Sequence, residues 1–184
     1  MNNNKLQKNK GFTLVEVMVA VFVLTISVSS LMSLLSTSLF AAKYARNEIT
    51  ANYLSQEVID FIRNERDTIV FLSNQNSNDG WNKFVDKYKD CSDESANCYI
   101  DVNKDIGPTK CPESECFLYF DEKAEKNVFY NYEKRGQITN FERKLIFLKN
   151  SSNSDEINVE VIVYWKNGGI SKTKSLKTSL MKWQ

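Results

Sequence analysis

Histidine is absent from the 184 residues, which removes Ser-His-Asp and Cys-His catalysis, His-ligated metals and His-based pH switching together. Proline occurs twice and glycine six times, and neither occurs between Gly11 and Gly80. Nothing in residues 12–73 therefore forbids one continuous helix, about 90 Å long. No G-x-x-x-x-G-K-[ST] loop is present to cradle a phosphate, and no isolated pair of acids in an apolar setting offers general acid and base chemistry. Charge of neither sign dominates: 24 basic and 23 acidic residues give a formal +1, so net charge supplies no footprint for nucleic acid. The length leaves room for one domain and one appendage. These absences point to a structural protein rather than an enzyme, with no cofactor required.

What the chain does have is concentrated at its N-terminus. Residues 1–10 carry Lys5, Lys8 and Lys10 as their only charges, and Val17 to Ala42 is a run of 26 residues without one. As a helix that run exceeds the roughly 30 Å apolar core of a bilayer. A short basic segment before it keeps the leader in the cytoplasm and puts everything after about residue 42 outside. A secretory signal peptide would have an apolar core of about 7 to 15 residues and a small-residue cleavage site, which fits this longer run poorly. Neither a signal peptide nor a plain anchor explains Glu16, which would cost about 2.5 to 3.5 kcal/mol at a bilayer centre. Such a carboxylate needs a partner.

The run Lys10, Gly11, Phe12, Thr13, Leu14, Val15, Glu16 resembles the class III signal of type IV pilins and type II secretion pseudopilins. The resemblance implies that a prepilin peptidase cuts after Gly11 and methylates the new N-terminal Phe12. It also implies that Glu16 offsets the Phe12 amine in the apolar core of a filament, a pairing that specifies register more than it adds stability. Loss of the leader with its three lysines would leave 21 basic and 23 acidic residues, formally −2. The segment ANYLSQEVIDFIRNERD resembles the same region of minor pilins and minor pseudopilins, where a hydrophobic helix face packs on a small sheet. Partners implied by the family are other pilin or pseudopilin subunits, the peptidase, an inner-membrane assembly platform with a separate ATPase, and lipid before assembly. Many major pilins carry a proline near the middle of the membrane half of the helix. Here Thr25, Ser27, Ser29, Ser30 and Ser33 stand instead, and any local melting on assembly would come from them.

The expected organisation is a leader over 1–11, a membrane and filament-core helix over 12–42, the amphipathic half of that helix over 43–73, and a globular head over 74–184. Ala51, Leu54, Val58, Phe61 and Ile62 recur at helical spacing and need a cover. The polar stretch Ser73 to Gly80 reads as the helix exit and a connector. Phe141 to Leu148 reads as a strand, Cys116–Phe120 with Val128–Tyr132 as a hairpin, and Ile157, Val159, Val161, Val163 and Trp165 as the apolar face of another strand. Asn167, Gly168 and Gly169 then mark a tight turn into Ile170–Leu180. The fold class is α+β: a long N-terminal helix laid on an antiparallel meander of about four or five strands.

Cys91, Cys98, Cys111 and Cys116 lie within 26 residues of the exported part, where an even count favours disulfides. Of three pairings, Cys91 with Cys98 and Cys111 with Cys116 is preferred because each closes a short loop; the spacings suit a four-thiolate zinc site poorly. Asp101, Asn103 and Asp105 with Gly107 approach the start of a calcium loop, but the glycine is one place late and Pro112 stands where the bidentate Glu belongs. Some pseudopilin heads bind calcium, so these three residues are the weak metal candidates beside the plainer reading of a polar loop. Lys172, Lys174, Lys177 and Lys182, with Trp183, read as a solvated basic face of the last strand, with DNA or surface binding as the weaker alternative.

Overall fold

The structure is a computed structural model that describes residues 11–73, 77–92, 97–102, 104, 106–111, 116–122, 129–149 and 153–182. The chain divides into two compact units, Met1–Lys43 and Tyr44–Gln184. Helix α1 spans Leu14–Leu72, as the lack of Gly and Pro allows. Only its second half has a buried face, made by Ala51, Leu54, Ser55, Val58, Ile59 and Ile62.

That face is covered by one seven-stranded sheet. The strands are β1 Cys98–Asp101, β2 Ile106–Lys110, β3 Phe117–Phe120, β4 Tyr130–Asn131, β5 Gln137–Lys149, β6 Glu156–Asn167 and β7 Ile170–Met181. All pairings are antiparallel. A true meander exists only over β5, β6 and β7. Leu145 of β5 pairs with both Cys98 and Val161, and Glu142 pairs with both Phe117 and Tyr164. One edge of β5 therefore carries β6, while the other receives β1 towards one end and β3 towards the other. The strands beyond the expected four or five are the short ones near the cysteines, whose four or five residues are too few for alternation to reveal.

Period-2 geometry sends every odd residue of β6 from Ile157 to Trp165 into the core. Val58, Ile59 and Ile62 cluster with Phe147, Ile157, Val159 and Val161, while Ala51 and Leu54 cluster with Leu118, Phe141, Val163 and Trp165. Each fully buried Leu, Ile, Val or Phe contributes about 1.5 to 3 kcal/mol. Gly168 and Gly169 adopt φ of 58° and 87°, the left-handed values that a two-residue hairpin turn requires.

The expected connector after α1 is partly helical. Helix α2, Ser77–Tyr88, buries Trp81, Phe84 and Tyr88, spaced three and four apart as one helical face demands. Its shortness and the polar first turn hid that periodicity. Gly80 is needed there, because a Cβ would stand 2.5 Å from Ser73 Oγ and 2.8 Å from Val70 Cα at the end of α1. The Glu65 carboxylate of α1 accepts hydrogen bonds from both Lys87 Nζ and Tyr88 OH, and the Tyr88 ring stacks on Phe147 at 4.5 Å.

Candidate functional site

Gly11 and Phe12 precede α1 and are exposed, Phe12 at 82%. Thr13 caps the helix: its Oγ1 accepts the Glu16 N–H at 3.3 Å. Thr13-x-x-Glu16 is thus the T-x-x-E pattern of a capping box, and a carboxylate in the first turn is also favoured by the helix macrodipole. Glu16 has a local role in starting the helix as well as any role between subunits. Among the described residues no cation is ion-paired with it.

From Phe12 to Phe40 each large apolar side chain is about half or more exposed, and these residues cover the helix all round rather than forming a stripe. A helix of that kind is stable only in lipid or inside a bundle of other helices. Six of the hydroxyls within it are satisfied by the helix's own backbone. Thr25, Ser27, Ser29, Ser30, Ser36 and Thr37 each donate their hydroxyl to a carbonyl three or four residues earlier, at 2.8 to 3.0 Å. This removes the desolvation penalty that free hydroxyls would carry in an apolar medium. Glu16 remains the one ionisable side chain of the segment between Phe12 and Ala42.

In the second unit the sheet is fastened to α1 by Arg143, which sequence reading missed. It occupies an inward position of β5 between Phe141 and Leu145, and its side chain is 2% exposed. Arg143 Nη1 donates to Glu57 Oε2 at 2.6 Å and to the Leu54 carbonyl at 3.0 Å; Nη2 donates to the Ile100 carbonyl at 3.3 Å. Nε donates to Tyr132 OH at 3.0 Å, and that hydroxyl donates to the Arg143 carbonyl at 3.1 Å. Burial opposes the guanidinium charge, but Tyr132 and Glu57 overcome it and hold the Arg143 pKa above its ordinary value. Burial raises the Tyr132 phenol, with Arg143 partly offsetting it. A single cation thus ties β5 to α1, β1 and the segment after β4. The signal for it lay in the sequence, as a charged residue at an inward position of a strand that otherwise alternates cleanly.

Cys91 is bonded to Cys98 and Cys111 to Cys116. The first bridge ties the turn after α2 to β1, and the second joins the end of β2 to the start of β3. Of the calcium candidates, Asp101 is buried at the end of β1, while Asn103 and Asp105 lie outside the described residues. Among the described residues no three His, Cys, Asp or Glu side chains gather as a metal would need. Lys104, between the candidates in sequence, bonds Glu133 at 3.0 Å. That hydrogen bond raises the Lys104 pKa and lowers that of Glu133.

The four lysines of the last strand do not share one face. Lys172 and Lys174 pair with the inward residues Trp165 and Val163, whereas Lys177 pairs with Glu160 on the opposite side, as period 2 dictates for residues of different parity. Each charge also has its own neighbour: Lys172 lies over the Tyr44 ring, Lys174 near Glu48, Lys177 on Glu160 and Lys182 on Asp155. Trp183 lies outside the described residues.

The family model of the prokaryotic N-terminal methylation motif matches residues 6–32. No curated protein and no solved structure matches the chain. The match begins six residues before Phe12 and takes in Gly11, Glu16 and the first 16 residues of the uncharged run.

Proposed function

We propose that this chain, which carries the class III signal of the type IV pilin and pseudopilin family, is a minor pilin-like structural subunit of a type IV pilus or its tip. In this reading a prepilin peptidase cuts between Gly11 and Phe12 and methylates the new amine. The subunit then rests in the inner membrane with its head outside. Assembly transfers residues 12–42 from lipid to a bundle of other subunits' helices. The observation that carries the proposal is an apolar helix exposed all round, headed by Gly11–Phe12 and interrupted by Glu16 alone. A type II secretion or competence pseudopilin would use the same physics. A membrane-anchored module binding DNA or a surface has less support, since the lysines of β7 are dispersed and individually engaged.

Glu16 tests the proposal. Loss of its carboxylate should leave the Phe12 amine uncompensated in an apolar interface, at a cost of several kcal/mol. Glu16→Ala should still insert and be cleaved, because the peptidase reads Gly11 and the apolar run, yet the fraction recovered in sheared filaments should collapse. Glu16→Asp should be intermediate, its shorter chain reaching the amine less well. Incorporation of Glu16→Ala at the wild-type level would overturn the proposal.

A further inference from the structure

No acid follows Glu160 in the sequence, whereas Lys166, Lys172, Lys174, Lys177 and Lys182 all do. Three of these five stand by carboxylates: Lys174 by Glu48, Lys177 by Glu160 and Lys182 by Asp155. The other two flank the β6–β7 turn. Lys166 is exposed and makes no ion pair with any described residue. Lys172 lies 5.5 Å over the Tyr44 ring, a contact that leaves its charge uncompensated. Lys172 pairs with the inward Trp165, and Lys166 with Ser171 on the other side, so the two ammonium groups leave opposite sides of the hairpin end. Between them come Gly168 and Gly169 and then Ile170, which is 57% exposed. A Cβ on Gly169 would meet nothing within 4 Å, so the turn projects into open space.

Chain continuity fixes the level at which this turn stands. The 26 uncharged residues from Val17 to Ala42 make about 39 Å of helix, against a hydrocarbon core of about 30 Å and about 40 to 45 Å with the headgroups. A core centred on the run ends about three residues before Ala42, which puts Tyr44 about 7 Å further out, among the headgroups where aromatic rings anchor. The contacts of β7 with α1 run in one direction: Thr178 with Arg63, then Lys174 by Glu48, then Lys172 by Tyr44. Each step towards the turn is a step towards the apolar run, and Ile170 lies two residues further on, about 7 Å. An exposed apolar side chain between two unneutralised lysines suits a layer of phosphates over hydrocarbon, with the lysine stems lying along the apolar boundary. A protein partner seated on one side of the hairpin would reach only one of the two charges.

We infer that the β6–β7 turn rests on the bilayer surface before assembly, with Ile170 at the edge of the hydrocarbon and Lys166 and Lys172 on the phosphates of anionic lipid headgroups. The inference rests on the membrane-inserted stage of the reading above and adds a second attachment, made by the head itself.

The test uses the full-length chain in lipid nanodiscs of equimolar phosphatidylglycerol and phosphatidylcholine. A photoreactive benzophenone amino acid replaces Ile170, and one lipid class is radiolabelled at a time. Irradiation should give about fivefold or more adduct to phosphatidylglycerol than to phosphatidylcholine, the factor that one cation near an anionic surface supplies. Salt at about 0.5 M should abolish the preference, as should Lys166→Gln combined with Lys172→Gln. Lys177→Gln, beside Glu160, should leave it unchanged. Fluorescence of the buried Trp81 and Trp165 verifies that each variant is folded. Equal adducts to the two lipids, a preference that survives loss of both lysines, adducts chiefly to a second copy of the chain, or none from chain held in the discs would each overturn the inference and leave the assembly reading standing. A chain that fails to stay with the discs would overturn the membrane stage of that reading, and the inference with it.

Discussion

Arg143 offers the sharpest test of how the head is held together. Truncation to Ala leaves the Glu57 carboxylate without the guanidinium 2.6 Å away, and removes the donors to the Leu54 and Ile100 carbonyls and to Tyr132. Breaking one side of a buried ion pair costs about 3 to 5 kcal/mol; the Glu57 side chain is 29% exposed, so water screens the charge left behind and the low end of that range applies. Arg143→Lys keeps the charge but not the planar fork, and should lose at least one charge-assisted hydrogen bond, about 1.5 to 3 kcal/mol. The double variant Arg143→Met with Glu57→Leu removes both charges and fills the space with carbon, so it should fall within about 1 kcal/mol of wild type. The assay is urea unfolding of the full chain in detergent micelles, followed by the fluorescence of the buried Trp81 and Trp165. At about 1 to 3 kcal/mol per molar urea, Arg143→Ala should lower the midpoint by 1 M or more. A midpoint for Arg143→Ala near wild type, or a double variant as damaged as Arg143→Ala, would refute the argument.

Reduction of the two disulfides, which close loops with sequence separations of 7 and 5, should cost the head about 2 to 4 kcal/mol per bridge. Thiol counting after native isolation should find none free, and four titratable thiols would contradict this. Alkali should destabilise the head through Tyr132. Because burial raises its folded pKa, its stabilising contribution is complete below the unfolded value near 10 and is lost as pH rises through the folded value. Tyr132→Phe should therefore flatten the alkaline limb of a stability curve, and an unchanged limb would count against the assignment.

Legibility in the sequence followed the length and regularity of each signal. The apolar run, Glu16, the amphipathic stripe from Ala51 and the alternation of Ile157 to Trp165 repeat often enough for periodicity to identify them. The Asn-Gly-Gly turn declared itself because few residues accept positive φ. Helix α2 and strands β1 and β2 were too short to show a period, and their places depend on long-range contacts such as Tyr88 on Phe147. Arg143 was hidden by the habit of reading charge as exposure, which fails where a guanidinium has four oxygen acceptors around it. The supposed basic face of β7 ignored parity, since residues 172 and 177 cannot share one side of a strand.

Everything proposed for assembly depends on the chain being cut after Gly11. Mass spectrometry of the N-terminal peptide from protein recovered in membranes and sheared filaments measures that event directly. The account predicts a chain that begins at Phe12 and carries one methyl group on its α-amine, and predicts an uncut, unmethylated Gly11→Leu precursor confined to the membrane. An intact Met1 start in assembled filaments would contradict it.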